Sequence, residues 1–365
     1  MKLLTVVGAR PQFVKAFPVS EQLGDRHEEV LVHTGQHYDE ELSSVFFDEL
    51  PIPEPAYNLG VGSASHAVQT AQVMERVDEV LDAESPDVML VYGDTNSTLG
   101  AGLVAAKRDL DLVHVEAGVR SGDWSMPEEV NRVVTDHCAD LLCSPTERAA
   151  QTLRLGGVRG EVTVTGDVMY DALLSVRDRA LECSTVRADL GVAEGSYVLA
   201  TVHRERNTDS EHRLRGILEG LASVPETVVL PAHPRTVEAL SEYGLAARAE
   251  SALELVDPVG YLDFVALLAG AERVATDSGG VQKEAFYLDR PCVTLRETTE
   301  WPETVEAGWN TLVGADAAAI RTALTASPPD PETKPTLYGG GEAAVRICEA
   351  LDGLTASIED PADDD

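Results

Sequence analysis

The chain has 365 residues, room for about two domains, and 44% of them are apolar, enough for two sizeable cores. Its 63 acidic residues outweigh 28 basic ones, and the formal net charge of −35 excludes a sequence-independent nucleic-acid binder, which needs a basic footprint. The acidity is spread along the whole length, which reads as a surface adapted to a salt-rich cytoplasm where screening removes self-repulsion.

Residues 1–7 read as a first strand and not as a signal peptide, because the apolar run is short and Arg10 follows at once. No apolar run approaches the roughly 18 residues of a membrane span, so a soluble cytoplasmic protein is expected. Further strand-like runs follow at 30–33, 88–92, 112–115, 141–144 and 162–165, and a second series at 197–201, 227–230, 253–255, 273–276 and 292–295. Short β-branched runs alternating with helical patterns predict parallel sheets covered on both faces. The expected fold is therefore α/β, with two doubly wound, Rossmann-like domains. The first is placed at 1–168 and the second at 169–335. A helix from 336 to 356 is expected to pack back on the first domain, and 357–365 reads as an acidic disordered tail. The cysteines, Cys138, Cys143, Cys183, Cys292 and Cys348, form no C-x-x-C pair and are expected as buried free thiols, with neither disulfide nor zinc.

In open parallel sheets, ligands sit beyond the carboxyl ends of the strands. Those ends carry unusual polar groups here. They are Gly8-Ala9-Arg10-Pro11, Gly93-Asp94-Thr95-Asn96, Glu116-Ala117-Gly118, His203-Arg204-Glu205-Arg206-Asn207, Ala232-His233-Pro234 and Asp277-Ser278-Gly279-Gly280. Each alone is explicable as a turn or a cap. Together they predict a cleft between the domains, lined with carboxylates, imidazoles and arginines. The Ser278-Gly279-Gly280 turn leads into a helix, where free N–H groups and the dipole favour an anion. Met126-Pro127-Glu128 opens another helix, with Pro127 at its first position and Glu128 in its first turn, and Arg132 is placed to orient that carboxylate. Carboxylates in the first half and basic groups in the second suit a nucleoside diphosphate bound by the second domain, its reacting group directed at the first. A dinucleotide fits badly, since the first strand–helix turn lacks G-x-G-x-x-G; nor is there a P-loop or a G-x-S-x-G elbow.

With Thr34-Gly35-Gln36-His37, Tyr92-Gly93-Asp94-Thr95, His114-Val115-Glu116-Ala117-Gly118, Pro127-Glu128-Glu129-Val130-Asn131-Arg132, His203-Arg204-Glu205-Arg206-Asn207 and Thr276-Asp277-Ser278-Gly279-Gly280, the chain resembles the non-hydrolysing UDP-N-acetylglucosamine 2-epimerases. The resemblance implies a glycosyltransferase-B-like fold, a homodimer, no NAD, no metal, and interconversion of UDP-GlcNAc and UDP-ManNAc. It implies Asp94, Glu116 and Glu128 as acid–base groups, with His203 as a fourth catalytic position. It implies phosphate contacts from Arg10, His233, Ser278, Gly279 and Gly280, ribose contacts from Glu284, and Phe264 against the uracil. Gln36 and His37 match a second, effector site.

The chain also departs from that pattern. Gln12 stands where many members carry Glu, Glu300-Trp301-Pro302 replaces Glu-Arg-Pro, and the residues after Gln36-His37 differ. The Gln-His-Tyr-Asp and Glu-Trp features resemble relatives that epimerise UDP-2,3-diacetamido uronic acids. That substrate, a hydrolysing epimerase releasing free ManNAc, a retaining glycosyltransferase and a non-catalytic nucleotide-sugar sensor remain alternatives, as does the question of which carboxylate serves which face of C2.

Overall fold

The computed structural model describes residues 1–36 and 54–359, with backbone alone at 10, 25 and 355–359. The chain divides into two compact units, Met1–Ser175 with Thr336–Asp365, and Val176–Pro335. The division falls inside a helix, Val168–Cys183, and not at the Gly166-Asp167 turn that ends the first strand series.

The first unit is built on a seven-stranded sheet in the order β3-β2-β1-β4-β5-β6-β7, and every strand pairing is parallel. These are β1 (Lys2–Val7), β2 (Glu28–His33), β3 (Tyr57–Asn58), β4 (Val88–Tyr92), β5 (Asp111–Val115), β6 (Leu141–Ser144) and β7 (Glu161–Val164). A parallel strand covered on both faces has no reason to alternate, and β4, Val-Met-Leu-Val-Tyr, is buried at every position. One face of the sheet packs Phe13, Val19 and Leu23 of helix α1 (Arg10–Leu23) together with Ala343, Ile347, Cys348 and Leu351. The last four belong to the helix Ala343–Glu359, which continues past the boundary read from the sequence. Its first turn is capped from far away in sequence, the Asp171 carboxylate accepting from the amides of Ala343 (3.1 Å) and Ala344 (2.9 Å).

The second unit carries a six-stranded parallel sheet in the order β10-β9-β8-β11-β12-β13. Its strands are β8 (Tyr197–Thr201), β9 (Thr227–Pro231), β10 (Glu254–Val256), β11 (Arg273–Thr276), β12 (Cys292–Thr294) and β13 (Asn310–Leu312). The edge strands β3 and β13 are absent from the sequence reading, because pieces of two and three residues carry no hydrophobic period of their own. All five cysteines are free; Cys183 is exposed and Cys138 half-buried, which corrects the expectation that all five are buried. No described helix is long and apolar enough to cross a membrane.

Each sheet reverses its winding once, between β1 and β4 in the first unit and between β8 and β11 in the second. Crevices at such switch points are where doubly wound sheets bind ligands. Gly8 and Asp94 follow the first pair of strands; His203 and Asp277 follow the second.

Candidate active site

In the first unit, Asp94 and Glu116 follow neighbouring strands whose register pairs Tyr92 with Val115. The Gly93 amide donates to the Val115 carbonyl at 3.0 Å and draws the two turns together. Asp94 receives Nη2 of Arg132 at 2.5 Å, and its backbone carbonyl receives Asn131 Nδ2 at 2.9 Å. Glu116 receives Nζ of Lys15 at 2.9 Å, both side chains being only 12% exposed. Two of the three carboxylates thus face a cation. Glu116 also holds φ at +68°. Ser85 and Asp109 adopt that region as helix caps, whereas Glu116 adopts it directly after a strand, where a non-glycine residue is strained.

Glu128 sits half-buried in the first turn of the helix Pro127–Cys138, next to the N1 proline. Asn131 and Arg132 of the same helix grip the Asp94 turn, so the helix start is held at the same end of the sheet. Arg132 pairs with Asp94 and, at 2.9 Å, with Glu129, which corrects the expectation that it orients Glu128. Glu129 anchors the preceding loop by accepting from the Ser121 amide and hydroxyl and from the Gly122 amide. Burial pushes the Glu129 carboxyl up, but those amides and Arg132 outweigh it and hold it below the usual range.

Gln12 is a position where the sequence departs from its look-alikes, and its amide is used in full. Its oxygen accepts from the amides of Gly8 (2.8 Å) and Ala9 (3.1 Å). Its nitrogen donates to the Tyr92 carbonyl (2.7 Å) and the Thr98 hydroxyl (2.9 Å). A carboxylate has no donor for those two acceptors. Arg10 opens α1, and its side chain lies outside the described residues. Gln36 is buried, its amide oxygen accepting from the Ser97 amide (2.9 Å) and hydroxyl (2.7 Å); His37 lies outside the described residues.

In the second unit, Asp277 is fully buried after β11 and organises the turn after β8. Its carboxylate accepts from the amides of His203 (3.1 Å) and Arg204 (3.0 Å) and from Asn207 Nδ2 (3.0 Å). His203 Nδ1 lies 3.1 Å from the same carboxylate while its ring stays 41% exposed. Burial raises the Asp277 carboxyl, yet the His203 ring, Asn207 and the Arg204 amide outweigh it and hold it below the usual range. His233 caps the helix Pro234–Glu242, with its ring centroid 6.0 Å from that of His203. Partial burial, then His203 and Arg235, lower its affinity for a proton.

Ser278 caps the helix Gly279–Tyr287, its hydroxyl accepting from Val281 N at 3.5 Å. That leaves the Gly279 and Gly280 amides in the first turn, where a helix supplies no carbonyl for them. A side chain at Gly279 would meet Glu300, Arg204 and Trp301 at ordinary contact distances of 3.6–3.8 Å, and one at Gly280 would meet only Ser278 at 3.9 Å. Packing therefore demands neither glycine; their lack of side chains leaves the amides open to an anion. Trp301 Nε1 donates to the Gly279 carbonyl at 3.1 Å, and Arg296 forms a bidentate pair with Glu300. Glu284 is buried one turn on in the same helix, and Phe264 lies half-buried in the first turn of the helix Tyr261–Gly270. The structure thus groups Asp94, Glu116 and Glu128 in one unit and His203, His233, Ser278, Gly279 and Gly280 in the other. Lys15 escapes sequence reasoning, because its partner Glu116 is distant in the chain.

The family model for UDP-N-acetylglucosamine 2-epimerase matches residues 22–352. The chain is 45% identical over 358 residues to a UDP-N-acetylglucosamine 2-epimerase homolog of Methanococcus maripaludis, covering 97% of this chain and all of that one. It is 42% identical to the UDP-2,3-diacetamido-2,3-dideoxy-D-glucuronate 2-epimerase of Pseudomonas aeruginosa, covering 96% of this chain and 99% of that one. The crystal structure of Methanocaldococcus jannaschii UDP-GlcNAc 2-epimerase, in complex with UDP-GlcNAc and UDP, superposes with a TM-score of 0.84 at 39% identity, over 97% of this chain and all of that one. With the carboxylate turns after β4 and β5 in one unit and the Ser-Gly-Gly turn after β11 in the other, these matches establish that the chain belongs to the UDP-N-acetylglucosamine 2-epimerase family.

Proposed function

We propose that this chain inverts C2 of UDP-GlcNAc to give UDP-ManNAc, by elimination of UDP to 2-acetamidoglucal followed by re-addition of UDP. The C2 hydrogen is not acidic, so simple deprotonation and return is closed to it. The family resemblance implies no NAD, and loss of UDP is a route that needs none. That route needs proton-handling groups for both faces of C2 and stabilisation of the departing diphosphate. The reading assigns acid–base work to Asp94, Glu116 and Glu128, and a fourth catalytic position to His203. It assigns phosphate contacts to Arg10, His233, Ser278, Gly279 and Gly280, the ribose to Glu284 and the uracil to Phe264. It also includes a homodimer working in the cytoplasm without NAD. The observation that carries it is the carboxylate set at the ends of β4 and β5 and at the start of the Pro127 helix, two of whose members are held against cations.

A second reading, a UDP-2,3-diacetamido uronic acid as substrate, draws support from the 42% identity to the Pseudomonas aeruginosa enzyme and from Glu300-Trp301. Incubation of each nucleotide sugar without NAD, with products resolved by NMR, tests both. The first reading expects UDP-ManNAc from UDP-GlcNAc. Turnover of the uronate alone would replace it with the second, and free ManNAc would point to a hydrolysing enzyme.

A further inference from the structure

Asp136, on the helix Pro127–Cys138, is a buried carboxylate that the proposed reaction does not use. Its Oδ1 lies 2.7 Å from His114 Nδ1; its Oδ2 lies 3.3 Å from the Gly118 amide and 2.6 Å from Arg120 Nη2. His114, the last residue but one of β5, has no exposed surface, and its Nε2 lies 2.8 Å from the Gly93 carbonyl oxygen. A carbonyl oxygen only accepts, and a carboxylate already serving a guanidinium and an amide accepts as well. Both ring nitrogens of His114 therefore face acceptors.

The places these bonds reach matter more than their number. Gly93, at φ +63°, directly precedes Asp94, and Gly118, at φ +83°, closes the turn that begins with strained Glu116. A side chain at Gly118 would come within 2.3 Å of the Ala149 carbonyl, so that turn is pressed against its neighbour and has no slack. One carboxylate thus ties the Glu116 turn directly and the Asp94 turn through His114. A well-packed apolar pair could fill the same space without loss of stability, but it would leave the Gly93 carbonyl and the Gly118 amide without these partners.

We propose that Asp136 and His114 are positioning residues: a buried carboxylate–imidazolium clamp that sets Asp94 and Glu116 in fixed relation to each other. The inference rests on the reading of those two as acid–base groups. Two measurements test it. In full-length protein labelled with 15N-histidine, NMR should find protons on both ring nitrogens of His114 at neutral pH, and a neutral tautomer would overturn the clamp. In Asp136→Asn and His114→Gln, kcat for deuterium incorporation at C2 should fall about 100-fold, the scale of a misplacement of about 1 Å, with UDP affinity unchanged because its proposed contacts lie elsewhere. Unchanged kcat in a folded variant would refute the positioning role. Should the variants not fold, the ring spectrum of the unmodified protein decides. Unmodified protein that exchanges no deuterium defeats the reaction reading, and the same spectrum then judges the clamp alone.

Discussion

Both units contain an aspartate–histidine pair beside a parallel sheet, Asp277 and His203 at the β8–β11 switch point and Asp136 and His114 one strand away from the β1–β4 one, and the pairs differ in burial. Asp136 and His114 are both fully buried, and the second ring nitrogen ends on a backbone carbonyl. Asp277 is equally buried, but its partner His203 is 41% exposed. The same chemical pair therefore serves two purposes. Where every donor ends on protein, the histidine is a tie between turns. Where one edge of the ring is open, the aspartate orients a group that the proposed reaction brings against the ligand. The residue types at the two sites are alike, and burial distinguishes them.

The comparison is broken most directly by changing each histidine. His203→Ala should lower turnover about 10²–10⁴-fold, the range of a lost catalytic proton-transfer group, at a smaller cost in stability, since its ring is partly solvated and the Asp277 carboxylate keeps the His203 and Arg204 amides and Asn207. His114→Ala should behave oppositely in stability, costing about 3–5 kcal/mol in a denaturant titration because it removes one partner of a fully buried ion pair and takes the ring nitrogen from the Gly93 carbonyl. Equal stability losses in the two variants would erase the distinction. Glu128→Gln should abolish C2 exchange and leave UDP affinity nearly intact, and collapse of UDP binding would make Glu128 structural.

A smaller effect sharpens the comparison by pH. The carboxyls of Asp136 and Asp277 are both held below their ordinary range: burial raises each, and the neighbouring imidazole with its companion donors outweighs it. A depressed folded-state value means that stability is fully present above the unfolded value of about 3.9 and is lost as pH falls below it toward the folded value. Thermal melts should therefore be flat in this respect above about pH 5 and drop below about pH 4. Replacing Asp136 or Asp277 should remove part of that drop. A variant with an unchanged acid limb would show that its carboxylate titrates normally.

Gln12→Glu should cost about 1–3 kcal/mol at neutral pH, since the Tyr92 carbonyl and the Thr98 hydroxyl both lose the Gln12 donor. Acidification should reduce that cost as the new carboxyl gains a proton, and a cost independent of pH would mean that the site rearranges. The smallest effect concerns the surface: with a net charge of −35, dilute buffer should lower the melting temperature relative to molar KCl. No difference would remove the salt adaptation inferred from composition.

Much of this was legible in the sequence, and the reasons are local. Fully buried parallel strands such as β4 announce themselves as unbroken apolar runs, and the polar group after each run marks the carboxyl end of the sheet. Pro127 and Ser278 mark helix starts through short-range chemistry. What stayed hidden depends on long-range partners. Lys15 meets Glu116, Arg132 chooses Asp94 and Glu129 over Glu128, and Asp171 caps a helix that begins at Ala343. His114 stood inside a recognised motif, yet its role as a tie became visible only when both ring nitrogens could be followed to their acceptors.

The central claim, C2 inversion through loss and return of UDP, is tested most directly by incubating the protein with UDP-GlcNAc in deuterated water, without NAD and at molar salt. The account predicts deuterium at C2 in both recovered epimers. Epimerised sugar that carries no deuterium after long incubation would contradict it.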